Sequence, residues 1–170
     1  MANAADKIDA RVMPSPWFRA QSGQPTICLD LALGRELPRP LAPGERQLGR
    51  FILPPFQRPP VWTRAQQIRF LESLWGGLPM GSYVWNRCYG AATDGWLLDG
   101  QQRWTALLAY VDDAFPVFGY RYSQISLAER RGFNNRPFTA EMTEITSIDE
   151  CREVYDRLAY GGTPHEAKSR

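Results

Sequence analysis

An aspartate, a glycine, two glutamines and an arginine stand in a row at Asp99-Gly100-Gln101-Gln102-Arg103, between the apolar run Trp96-Leu97-Leu98 and the repeat Trp104, Leu107, Leu108, Val111. That order reads as a strand, a tight polar turn and a helix start. It suits phosphate chemistry, because first-turn N–H groups hold anions, glycine lets a ligand approach the backbone and arginine adds a bidentate donor. Asp99 could hold Mg²⁺ or orient a water, or could instead cap the helix. Gln101 and Gln102 each donate and accept, which suits a base edge, a ribose or an attacking water, and equally a solvated first turn. Arg103 in a first turn opposes the helix dipole, a conflict that an anionic ligand would remove. A second Gln-Arg pair, Gln57-Arg58, precedes Pro59-Pro60. The prolines stiffen the loop, as expected of a preformed phosphate donor pair, although a surface arginine beside a turn has the same sequence. Two Gln-Arg dipeptides on two loops point to one shared pocket.

The elements that must position these residues follow from periodicity. Residues 50–53 are β-prone and run into Pro54-Pro55, which makes them a strand delivering Gln57 and Arg58 to a loop. Thr63 is placed to cap a helix in which Ile68, Leu71, Leu74 and Trp75 recur until Gly76-Gly77. Strands are expected at 82–86 and 96–98, and a helix at about 101–111. Beyond it the pattern predicts a short strand at 116–118, a short helix capped by Ser126 and a strand from Pro137 towards Ile145. Asp149 then opens a last helix carrying Cys151, Val154, Tyr155 and Leu158. Gly161-Gly162 reads as its left-handed stop, fixing Arg157 and His165 near the cleft, or as a second phosphate loop with Thr163. Residues 1–47 are rich in proline and read as an irregular arm packed on a domain spanning 48–170. Strands and helices interleave without a strict βαβ period, so the class is α+β. Trp62, Trp75, Trp85, Trp96 and Trp104 fall on or beside core elements, with Trp62 or Trp104 also able to stack on a base.

Composition narrows the chemistry. The chain has 170 residues, 44% of them hydrophobic, enough for one ordinary core. Arginine supplies 18 of the 20 basic residues, but the net charge of +2 is too small to indicate nucleic acid by itself. The single histidine excludes two-histidine zinc sites and most histidine-based catalytic pairs within one chain. Three scattered cysteines without a C-x-x-C fit a reducing cytoplasm. No signal pattern or membrane-length apolar run is visible. The chemistry therefore falls to carboxylate, amide and arginine.

The same words resemble a family. Asp99 to Arg103, followed by Thr105-Ala106-Leu107, is similar to the DGQQR motif of the N-terminal domain of GmrSD-type DNA restriction factors, a branch of the ParB/sulfiredoxin superfold. Three further segments match that family's motifs in order and spacing across roughly residues 48–165. They are Pro55-Phe56-Gln57-Arg58-Pro59-Pro60-Val61-Trp62, Leu78-Pro79-Met80-Gly81-Ser82, and Arg157-Leu158 through Gly161-Gly162-Thr163-Pro164. The chain departs from the pattern at Ala159, where the family usually has asparagine, and at His165, where it usually has leucine. The resemblance implies a small mixed sheet with flanking helices, and a cleft faced by the two Gln-Arg motifs and the end of the last helix. It further implies nucleotide binding and hydrolysis in DNA restriction, DNA modification or a counter to either. On that reading Asp99, Gln101, Gln102 and Arg103 are catalytic, with Asp99 on Mg²⁺. Gln57, Arg58, Gly100, Arg103, Arg157, Thr163 and His165 bind the nucleotide phosphates. The expected partners are a nucleoside triphosphate, with DNA and a partner nuclease or modification enzyme as further candidates. The alternative is a non-catalytic nucleotide- or DNA-sensing module that regulates such a partner.

Overall fold

The computed structural model describes residues 12–13 and 33–160. Five strands, β1 (Arg46–Leu48), β2 (Phe51–Leu53), β3 (Ser82–Asn86), β4 (Leu97–Asp99) and β5 (Thr139–Thr143), alternate among the described residues with four α-helices. These are α1 (Arg64–Trp75), α2 (Gln101–Val111), α3 (Leu127–Asn134) and α4 (Ile148–Tyr160). The class is α+β, as the sequence predicts. No helix among these residues is long and apolar enough to cross a membrane.

β3 is the centre of a mixed sheet, antiparallel to β4 and parallel to β5. β1 and β2 form a hairpin whose second strand reaches the same sheet, where the Ile52 N–H donates to the Gly95 carbonyl at 2.9 Å. The chain therefore brings the ends of β2 and β4 and the start of β3 to one edge. Loop 54–62 and the β4–α2 turn meet there.

Both helix starts flanking this edge are set locally. Thr63 and Gln66 exchange bonds in a capping box that begins α1, with the Thr63 N–H on Gln66 Oε1 at 2.8 Å. α2 follows β4 after one residue, Gly100, and spans the residues the periodicity indicates. An aromatic cluster lies beneath: Phe51, Tyr83, Trp104 and Phe138 are all but fully buried, and the Trp104 and Phe138 rings stack at 5.0 Å. Trp104, with no exposed surface, is a core residue and not a stacking platform.

Two expectations change, at residues 116–118 and at the start of the last helix, and β1, Arg46–Leu48, lies where the arm meets the domain. The hairpin turns on Gly49 (φ +60°), a conformation that glycine adopts freely, and a Cβ there would lie 3.0 Å from Leu108 Cδ1. Glu45 fastens the rest of this segment, accepting from Arg39 at 2.6 and 2.8 Å, from Ala42 N at 2.7 Å and from Trp96 Nε1 at 2.6 Å. The strand expected at 116–118 is only a bridge between Val117 and Tyr120, because Phe118 and Gly119 take positive φ and turn the chain back. The last helix begins one residue before Asp149, at Ile148.

Asn86, fully buried at the end of β3, locks the chain beyond β5. It donates to the Thr93 and Ile145 carbonyls at 3.0 and 2.9 Å and accepts from Thr143 Oγ1 and Ile145 N at 2.8 Å each. Asn86→Ala removes four bonds and leaves the Ile145 N–H and the Thr143 hydroxyl without this acceptor, while the two carbonyls keep Thr93 Oγ1 and Trp96 N as donors, and urea unfolding is expected to show a loss of roughly 2–3 kcal/mol.

Burial works against ionisation of Glu45, but hydrogen bonds from Arg39, Ala42 and Trp96, with the Arg39 charge, hold its carboxyl below the ordinary 4.5. A depressed folded-state pKa gives stabilisation that is complete above 4.5 and is lost as pH falls through the folded value. Thermal melts of Glu45→Gln against the unmodified chain should differ most near neutrality and converge as pH drops below about 4.5.

Candidate functional site

The site is built around one guanidinium. Gly100 is the N-cap of α2 in the left-handed region (φ +95°), and a Cβ there would meet Tyr83 Cβ at 2.7 Å. Asp99 therefore stands one residue outside the cap and makes no capping bond, which corrects the N-cap alternative. Its Oδ2 accepts from Arg103 Nη2 at 2.9 Å, one helical turn on. Arg103 Nη1 donates to the Met80 carbonyl at 2.7 Å, and the guanidinium lies 5.5 Å from the Phe138 ring centroid. Gly81, φ +73°, leaves the space: a Cβ would lie 2.8 Å from Nη1. The two motifs Met80-Gly81 and Asp99-Gly100-…-Arg103 are thus halves of one contact.

This changes the expected role of Arg103. Burial lowers its pKa while Asp99 pulls it back up, and the clash of its charge with the helix dipole is answered inside the fold by Asp99 and the Met80 carbonyl. One N–H of each terminal nitrogen is thus engaged, and Arg103, itself in the cavity lining, holds Asp99 in place. Gln102 is likewise committed, since its Oε1 accepts the Val61 and Trp62 N–H groups at 3.0 Å each and pins loop 54–62 to α2. That loop is held twice more, by Arg46 Nη2 on the Gln57 carbonyl at 2.6 Å and by the Arg58 N–H on Tyr155 Oη at 3.4 Å.

Between these pieces lies a cavity of about 200 Å³. The loop contributes Gln57, Arg58 and Trp62, the β4–α2 turn contributes residues 98–103, and α4 contributes Tyr155 and Ala159. Both Gln-Arg dipeptides share it, as the sequence predicts. Gln57 and Gln101 are each 5% exposed, and Gln57 Oε1 and Gln101 Nε2 have no hydrogen-bond partner among the described residues. No side chain caps α2, so its first-turn N–H groups are left without a side-chain acceptor. Arg58 is exposed at the mouth and pairs with no carboxylate among the described residues. Asp99 is the one carboxylate in the lining, and no cluster of three or more His, Cys, Asp or Glu that could hold a metal occurs among the described residues. A single carboxylate fits Mg²⁺ that arrives with phosphates and keeps its waters, not a cation caged by protein alone.

Arg157 is not part of this cavity. It bonds Glu153 at 2.6 Å and lines a separate, shallow groove on the outer side of α4, because it lies two residues from Tyr155 and so points the other way round the helix. Tyr155 and Ala159, four apart, are the α4 residues that reach the site. The spacing of Cys151, Tyr155 and Ala159 carried that signal. Thr163 and His165 lie outside the described residues.

Gly81→Ala and Arg103→Lys disturb the same contact. Each is expected to cost about 1–3 kcal/mol in urea unfolding, and the double variant less than the sum of the two.

No curated protein and no solved structure matches the chain. The family model for the GmrSD restriction endonuclease, N-terminal domain, matches residues 43–167, which takes in the hairpin, the cavity and every α-helix described above. The chain belongs to the GmrSD restriction endonuclease N-terminal domain family.

Proposed function

We propose that this cavity binds a nucleoside triphosphate and hydrolyses it with Mg²⁺, as the nucleotide-driven part of a DNA restriction system working with a partner nuclease or modification enzyme. The observation that carries the reading is the convergence, in one small cavity, of an uncapped helix start, an unpaired arginine and a single carboxylate held in place by Arg103. Helix N–H groups and Arg58 favour an anion, and Gly100 lets it approach the backbone. Mg²⁺, carried in on the phosphates and ligated by Asp99, would neutralise phosphate charge. In the reaction a water oxygen bonds to the terminal phosphorus and gives up one proton to solvent, the bond to the bridging oxygen breaks with its electron pair staying on the diphosphate, and the nucleoside diphosphate and inorganic phosphate leave. Asp99 orients the water and Arg58 with the α2 N–H groups stabilises the transferring phosphoryl group. Gln102 and Arg103 act through the loop and the carboxylate they fix.

A second reading is a nucleotide-sensing module without turnover. It is favoured by the engagement of Asp99 Oδ2 with Arg103 and by the lack of a second carboxylate among the described lining residues.

Phosphate release from the four nucleoside triphosphates with Mg²⁺ separates the two. Turnover should fall roughly 100-fold in Asp99→Asn, which keeps an oxygen for Arg103 to bond, and at least tenfold in Arg58→Ala, each variant being shown to fold by thermal melt. A nucleotide-dependent rise in melting temperature without phosphate release selects the sensor. A chain that neither hydrolyses nor is stabilised by any of the four has no nucleotide site.

A further inference from the structure

We propose that α4 positions Arg58 for the phosphates through two tyrosines, Tyr155 by its hydroxyl and Tyr160 by its ring; this rests on the nucleotide reading above. Of the two arginines lining the cavity, Arg103 is paired with Asp99, whereas Arg58 is exposed and has no carboxylate partner among the described residues. A long, solvated arginine spreads over many rotamers, and a ligand that uses it must first order it. Two contacts from α4 limit that spread. The Arg58 N–H donates to Tyr155 Oη at 3.4 Å, which fixes where the side chain leaves loop 54–62. The guanidinium carbon lies over the Tyr160 ring, 6.0 Å from its centroid, a cation–π contact.

These contacts hold the arginine without using it up. An aromatic ring draws on the charge of a guanidinium through its own face and takes none of the N–H donors, which stay available to phosphate oxygens. A carboxylate partner would take them, as Glu153 takes Nε and Nη2 of Arg157. Tyr160 is 64% exposed and adds little to the core; its ring contacts among the described residues are with Tyr155, edge-on at 6.5 Å, and with Arg58. Tyr155 is buried and packs on Phe56 at 5.5 Å, and Phe56 meets Trp96 at 5.5 Å. A line of four rings thus carries the placement of Arg58 back to the residue before β4.

The test is calorimetric titration of the full chain, in Mg²⁺, with non-hydrolysable analogues of the four nucleoside triphosphates. Tyr155→Phe, Tyr160→Leu and Tyr160→Phe are compared in the unmodified and the Arg58→Ala backgrounds, each variant being shown to fold by thermal melt. Tyr155→Phe and Tyr160→Leu should each weaken the tightest-binding analogue about three- to fivefold, and Tyr160→Phe, which keeps the ring, should recover most of the loss. In the Arg58→Ala background neither loss should exceed about 1.5-fold, because no guanidinium is left to hold. Absence of the loss at either tyrosine, equal losses in the two backgrounds, or a Tyr160→Phe loss as large as that of Tyr160→Leu overturns the positioning role and leaves the nucleotide reading standing. Failure of the unmodified chain to bind any of the four analogues overturns the nucleotide reading, and this inference with it.

Discussion

The Arg103 guanidinium is the contact on which the site depends. It joins β4 to the turn before β3 by bonding Asp99 and the Met80 carbonyl, it rests against Phe138 of the core, and its space exists because residues 81 and 100 have no Cβ. A largely buried guanidinium needs a counter-charge and acceptors, and here Asp99 and the Met80 carbonyl supply them. The consequence is a carboxylate whose orientation is set by the core rather than by the solvent-exposed loop. Loop 54–62 is then registered against the same helix by Gln102, one residue before Arg103. One turn of α2 thus aligns both walls of the cavity.

Much of this was legible in the residues. α1 could be read from Thr63 and the glycine pair, and α2 from the step between an apolar strand and an apolar helical repeat, because caps and periodicity are local signals. The meeting of Gln57-Arg58 with Gln101 to Arg103 was legible from their matching chemistry. The division of labour within the second motif was not. Whether Gln102 faces a ligand or a neighbouring loop depends on tertiary placement, and nothing local separates Gln101, which is buried without a partner, from Gln102, whose oxygen is taken by the backbone. Helical phase separates the residues near Gly161: Arg157 lies on the outer groove of α4, whereas Tyr155 and Ala159 share the face that lines the cavity. Strand β1 was hidden by its length of three residues and its proline-rich surroundings.

Away from the cavity, one buried amide and two carboxylates hold separate parts of the chain together. Asn86 uses all of its bonding capacity, and Glu45 and Glu129 each gather several donors. Glu129 accepts from Val12 and Met13 at 2.7 and 2.8 Å as well as from Ser126.

The most direct test is an NMR titration of ¹⁵N-labelled chain with a non-hydrolysable nucleoside triphosphate analogue and Mg²⁺, following backbone and side-chain amides. The account predicts shifts concentrated at the Arg58, Gly100 and Gln101 backbone N–H groups, with Arg157 on the outer face of α4 unmoved. Shifts centred on the outer face of α4, or none at the Asp99–Arg103 turn at saturating analogue, would contradict it.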